Sequence, residues 1–130
     1  MAVALPDDLK QALDEANFAH LTTLDENGWP QTSAMWIMRD GDTIVFNTAE
    51  GRRKWRNMQR DPRVSFSLSP QGAPYTNFSV QGTVIEMRTE DGDAIIDELS
   101  IKYMGEPYKW KRKGMVRVTV IVEPTRVARN

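Results

Sequence analysis

Three runs rich in β-branched and aromatic residues follow one another between Phe18 and Asn47, divided by Asn27-Gly28 and by Asp40-Gly41-Asp42. Asn-Gly and Asp-Gly supply the backbone angles that tight hairpin turns need, so runs joined this way fold back on one another as antiparallel strands. No other feature constrains the chain as strongly. Strands are expected over Phe18 to Leu24, Gln31 to Met38 and Thr43 to Asn47, three in succession. Val64 to Leu68 and Asn77 to Met87 read as two more, separated by a loop with Pro70, Gly72 and Pro74, and Gly82 marks a bulge or bend in the longer one. Val116, Val118, Val120 and Val122 alternate with Arg117, Thr119, Ile121 and Glu123, the pattern of a half-buried strand with a polar position on its other face. The expected fold class is mainly β: about six antiparallel strands that remove their exposed edges by closing into a barrel.

Short helices fill the gaps. Pro6 suits a first helical turn, Asp7 and Asp8 favour its positive end, and Leu9, Ala12, Leu13 and Ala16 keep helical spacing up to about Asn17. Glu50 to Arg60 lacks strand alternation and is stopped by Asp61-Pro62. Thr89 to Tyr103, with Thr89 as the expected cap, places Ile96, Leu99 and Tyr103 on one face.

A chain of 130 residues is enough for one core, so a single domain over residues 1–130 is expected. Seventeen basic against eighteen acidic side chains leave a charge of -1, which gives no global pull toward nucleic acid or an anionic membrane. The absence of cysteine removes disulfides, thiolate metal sites and cysteine nucleophiles, and fits a reducing cytoplasm. Neither a signal-peptide pattern nor an apolar run of membrane-spanning length occurs, so a cytoplasmic protein without membrane contact is expected. His20 stands alone in a strand and reads as structural. The acids from Glu86 to Glu98 lack calcium-loop spacing, and no metal site is expected.

Any anion site must therefore be local. Thr48-Ala49-Glu50-Gly51-Arg52-Arg53-Lys54-Trp55-Arg56-Asn57 puts four cations at a strand-to-helix junction. Free amides at a helix start, a glycine and guanidinium forks together suit a phosphate, although a solvated helix face carries the same charges. Arg52 and Arg56, four apart, would share a face, with Lys54 reaching an anion from the turn. A second basic run, Lys109 to Lys113, follows Tyr108: either a solvated loop or a flap whose Tyr108 or Trp110 stacks on a ring. No side chain stands out as catalytic, so an enzyme of this composition would borrow reactivity from a cofactor.

Leu21-Thr22-Thr23-Leu24, Asn27-Gly28-Trp29-Pro30-Gln31, Ile44-Val45-Phe46-Asn47-Thr48, Gly51-Arg52-Arg53-Lys54-Trp55-Arg56-Asn57 and Arg60-Asp61-Pro62-Arg63, in this order, resemble the pyridoxamine-phosphate-oxidase-like, FMN-binding split-barrel superfamily. Within it the chain is most similar to the short actinobacterial branch that uses the deazaflavin coenzyme F420. The resemblance implies a six-stranded antiparallel split β-barrel and a homodimer with its cofactor groove between subunits. It places the cofactor phosphate on Arg52 and Lys54 with Thr48 and Asn57 nearby. It sets Gln31, Ser33, Met35 and Trp36 along the ring system, and Asn77 and Ser79, with the Tyr108 to Lys113 loop, on the other wall. The implied function is an F420-dependent oxidoreductase that passes a hydride to a small electron-poor organic substrate. An FMN-dependent oxidoreductase of the same fold is the alternative, as is a non-catalytic cofactor- or haem-binding barrel in which His20 is the only available histidine. The C-terminal substrate residues of the longer oxidases have no counterpart here, so pyridoxal phosphate synthesis is not expected.

Overall fold

A computed structural model describes residues 1–129. The elements run α1 (Asp7–Asp14), β1 (Ala19–Leu24), β2 (Pro30–Met35), β3 (Met38–Asp40), β4 (Thr43–Ala49), α2 (Arg53–Arg60), β5 (Arg63–Leu68), β6 (Phe78–Arg88), α3 (Gly92–Met104) and β7 (Arg117–Arg129). All strand pairs are antiparallel, in the order β2-β1-β5-β6-β7-β4-β3.

This order explains the split barrel. β2 and β3 occupy opposite edges of the ladder, yet only Trp36 and Ile37 separate them in the chain. Three residue steps span at most about 11 Å, so the sheet must curl until its edges approach. The edges do not hydrogen-bond to each other, and the ladder stays open. The strand count is therefore seven and not six, because the expected strand Gln31 to Met38 breaks in two. Side chains of α3 cause the break: Ile37 N donates to Tyr103 Oη at 3.1 Å, and Lys102 Nζ donates to Ile37 O at 2.6 Å. With its backbone groups taken, Ile37 has none left for a continuous ladder. Lys102 also donates to Leu13 O at the end of α1, so α1, α3 and the β2–β3 link are tied at one point. The three expected successive strands thus become two hairpins, β1–β2 and β3–β4, that do not pair with each other.

The barrel interior is filled by one face of each strand, including Leu21, Ile44, Phe46, Phe66, Leu68, Phe78, Val80, Val118, Val120 and Val122, with Leu9, Ala12 and Leu13 of α1 packed on the same core. β7 is not half-buried, as its alternation suggested: Arg117, Thr119 and Ile121 on its outer face are buried as well. It lies between β6 and β4, and α3 covers its outer face, so hydropathy alternation and burial part company.

Glycine is required at two crowded positions. At Gly82 the β6–β7 register shifts, and a Cβ there would lie 2.6 Å from Val122 Cγ1 and 2.8 Å from Glu123 O. Gly92 opens α3 against β7, where a Cβ would lie 2.0 Å from Arg117 O. The helix starts here and not at Thr89. The residue before it, Asp91, gives no side-chain cap, because its carboxylate accepts from Arg88 Nε at 3.0 Å and Nη2 at 2.9 Å.

Candidate functional site

A cavity of about 560 Å³ lies beside the outer faces of β4 and β7, under the start of α2, α3 and the loop before β7. Strand alternation selects which residues reach it. In β4, Ile44, Phe46 and Thr48 point into the barrel, so Asn47 points out. In β7, Val118 points in and Arg117 points out beside Asn47. Asn47 Nδ2 donates to Gly92 O at 2.9 Å, and Arg117 Nε donates to Asn47 Oδ1 at 2.8 Å. One backbone carbonyl thereby orients an amide, and the amide orients a guanidinium.

The lining holds four cations, Arg52, Lys54, Arg112 and Arg117, and no carboxylate. None of these cations belongs to an ion pair among the described residues, whereas ten ion pairs form elsewhere. Burial lowers the pKa of Lys54, and the neighbouring charges of Arg52 and Arg117 lower it further. Arg117 is lowered as well, first by burial and also by repulsion from Arg52, against the opposing pull of Tyr108 and Asp93. Desolvated like charges held together destabilise one another, and an anion placed among them relieves that cost.

The pairing of Arg52 with Arg56 on one helix face does not hold. α2 begins at Arg53, so Arg52 is extended and outside the helical period, and Arg56 donates back to Gly51 O without lining the cavity. Arg60 is likewise spent on Asn57 Oδ1 and Leu24 O.

Aromatic rings form the opposite wall. Trp36 stacks on Tyr103 with centroids 5.5 Å apart and planes at 13°, and its edge meets Tyr108 at 6.3 Å. Tyr108 meets Trp110 at 5.6 Å, and the Arg117 guanidinium lies 5.3 Å from the Tyr108 ring centre. The loop that carries Tyr108, Trp110 and Arg112 is pinned by a single carboxylate: Asp97 accepts from Tyr108 N and from Lys111 Nζ, each at 2.9 Å. That contact lowers the pKa of Asp97, chiefly through Lys111.

Of the residues singled out by sequence, Met35, Trp36, Arg52 and Lys54 come together in the cavity, along with Tyr108 and Trp110 of the loop that carries the second basic run. Thr48 faces the barrel interior, fully buried, its hydroxyl without a partner. Asn57 is buried and donates to Thr23 Oγ1 at 3.0 Å and to Gln31 Oε1 at 3.4 Å, tying α2 to the first hairpin. Ser33 is half-buried on β2 opposite Leu21, and Ser79 is exposed on β6 opposite Ser67. Asn77 Oδ1 lies 3.3 Å from Ser69 Oγ. Neither these five nor Gln31 line the cavity of their own chain. Sequence reasoning missed Asn47 and Arg117. Their only signal was alternation: Asn47 precedes Thr48 by one residue, and Arg117 interrupts a valine pattern.

His20 is exposed on the outer face of β1, between Ala34 and Ser67, and is not among the residues that line the cavity, although its neighbour Ala34 is. Among the described residues no group of three acidic or histidine side chains is placed to hold a metal, and no helix is long and apolar enough to cross a membrane.

The family model described as pyridoxamine 5'-phosphate oxidase matches residues 5–128. A solved structure of an F420 reductase is 28% identical, with a TM-score of 0.86, covering 95% of this chain and 98% of that one. A conserved hypothetical protein of Mycobacterium tuberculosis aligns at 23% identity and a TM-score of 0.77, covering 98% of this chain and 85% of its own. HupZ of Group A Streptococcus aligns at 16% identity and a TM-score of 0.70, covering 96% and 93%. The last two likenesses bear on the fold alone. No curated protein matches the chain. With a family model covering nearly its whole length and the same split barrel recurring in solved relatives, the chain belongs to the pyridoxamine 5'-phosphate oxidase family.

Proposed function

We propose that the chain is an oxidoreductase that uses the deazaflavin coenzyme F420 and works as a homodimer. The observation that carries this reading is a cavity with four unpaired cations, no carboxylate and an aromatic wall, the chemistry that suits a planar ring bearing a phosphate. Similarity to the F420 reductase over most of both chains supports it, and family membership supports an oxidoreductase in the broader sense. When bound, F420 supplies a hydride for a small electron-poor organic substrate.

The chain's own residues bind and orient. Arg52 and Lys54 take the phosphate, helped by the free amides of the first turn of α2. Trp36, Tyr108 and Met35 would line the ring, and buried Ile96 and Leu99 would help to exclude water from it. Gln31 and Asn57 act from behind by holding α2 against β1 and β2. Asn77 and Ser79 do not reach their own cavity and are assigned to the groove of the second subunit. The uncovered face of β2, β1, β5 and β6, with His20, Ala34, Ser67 and Ser79, is the surface for that contact.

FMN carries a phosphate on a similar ring and is the alternative cofactor. Arg112 on the cavity, with Lys113 next to it in the chain, favours the coenzyme with the longer acidic tail, while Lys109 and Lys111 of the same loop are paired with Glu106 and Asp97. Separate titrations of the purified protein with F420, FMN and haem test the reading, with tightest binding expected for F420. Tighter binding of FMN would overturn the cofactor assignment. A haem Soret band that vanishes in His20→Gln would point to haem handling. Sedimentation at micromolar protein should show a dimer, and a cofactor-loaded monomer would contradict the shared groove.

A further inference from the structure

Arg117 remains unexplained by the phosphate site. It is 6% exposed, yet no carboxylate of the described residues pairs with it. Its Nε is spent on Asn47, Nη1 reaches only the sulfur of Met115 at 3.6 Å, and neither terminal nitrogen donates to an oxygen. A buried guanidinium with its planar fork free is costly unless an oxyanion arrives to fill it. Its orientation is already set, because Asn47 is locked by its bond to Gly92 O and presents Oδ1 to Nε. The rotamer entropy that a flexible arginine loses on binding has been lost in advance.

Around this fork the walls are apolar: the Tyr108 ring face, Met115, Ile96 and Leu99. Arg52 is exposed at the rim, so the cations grade from the solvent-facing start of α2 to the deep end of β7. The linking phosphate of a coenzyme tail, a diester with a single negative charge, is already outnumbered by Arg52 and Lys54, so it leaves the fork of the deepest cation free; Asp93 and the Tyr108 ring offset the Arg117 charge only in part, without an ion pair. We infer that Arg117, oriented by Asn47, binds the carboxylate of the substrate, and that the substrate class is small aromatic or unsaturated acids. The word substrate rests on the cofactor reading above; the carboxylate site itself does not.

The test uses the whole chain and two probes of nearly equal shape, benzoate and its neutral isostere benzamide, titrated by the fluorescence of Trp36 and Trp110. Without cofactor, benzoate should bind about 10-fold or more tightly than benzamide, because a charge-assisted bidentate pair is replaced by neutral hydrogen bonds. Arg117→Met should bring benzoate down to the benzamide level. Arg52→Ala should keep the preference while weakening F420. Benzoate should still bind with F420 at saturation. Equal affinities in the parent, or a preference that survives Arg117→Met, would overturn the inference. So would complete displacement of benzoate by F420, which would give the guanidinium to the cofactor. Should Arg117→Met fail to fold by circular dichroism, Arg117→Lys takes its place, with the preference reduced but present because the charge remains and the fork is lost; an unchanged preference there also overturns it. A protein that binds benzoate in this way but not F420 keeps the carboxylate site and loses the cofactor reading, so the two failures are told apart.

Discussion

Replacement of Gly92 by alanine isolates the contact that holds the cavity's outer wall. A Cβ at this position would lie 2.0 Å from Arg117 O and 2.5 Å from the carbonyl carbon, both backbone atoms of β7. An ordinary C···O approach is about 3.3 Å, so the first turn of α3 must retreat by roughly 1 Å or more. Crowding of a packed interface costs about 1–3 kcal/mol. The retreat also pulls Gly92 O from Asn47, and losing a buried hydrogen bond costs about 1–3 kcal/mol. Alanine's better helix propensity returns at most about 1 kcal/mol. The net loss is about 1–5 kcal/mol, a large part of a total stability of roughly 5–15 kcal/mol. For a chain of this size the melting point should fall by about 10 °C. Urea unfolding followed by tryptophan fluorescence gives the free energy, and calorimetry gives the melting point. Gly105→Ala is the matched control: it has φ +83° but nothing within 4 Å of the added carbon, so only backbone strain of about 1–2 kcal/mol is expected. A Gly92→Ala protein within about 0.5 kcal/mol of the parent would refute the crowding argument, because surface-like tolerance is of that size.

Arg52→Ala and Lys54→Ala should each weaken F420 binding by roughly 30-fold or more, since loss of one partner of a desolvated charge pair costs on the order of 2–5 kcal/mol. The rate at saturating cofactor should change far less, and Arg60→Ala, which is outside the cavity, should bind normally; a normal affinity in both cavity variants would move the site elsewhere. Asp97→Asn should release the Tyr108–Lys111 tether, speed hydrogen exchange at the Tyr108 amide and weaken cofactor binding, and unchanged exchange would show that the loop is held by other contacts. Burial pulls Lys102 from the ordinary 10.5 down to about 8. Between those two pH values the unfolded chain binds more protons at this residue than the folded one, so the stability of the parent relative to Lys102→Met should rise as pH rises from about 8 to 10.5. A flat or falling difference in pH-dependent urea unfolding would contradict that sign.

Local signals in the chain determined the elements whose causes are local. Asn27-Gly28 and Asp40-Gly41-Asp42 make hairpins wherever they occur between strand-forming runs, so β1–β2 and β3–β4 were legible, as were the stop of α2 at Asp61-Pro62 and the irregularity at Gly82. The basic segment after β4 was legible as a local cation cluster, and the turn that precedes α2 draws Arg52 and Lys54 from it into the cavity. What tertiary structure decided was everything that depends on which face a residue presents to a distant neighbour. The break at Trp36-Ile37 has no breaker in its sequence; it exists because Tyr103 and Lys102, more than sixty residues away, take the backbone groups of Ile37. The burial of Arg117 contradicts the usual reading of an arginine among alternating valines, and follows from α3 lying over β7 with only a glycine between them. Asn47 enters the site and Thr48 leaves it because a strand turns successive side chains to opposite faces, and the pairing of β4 with β7 sets which face meets the cavity.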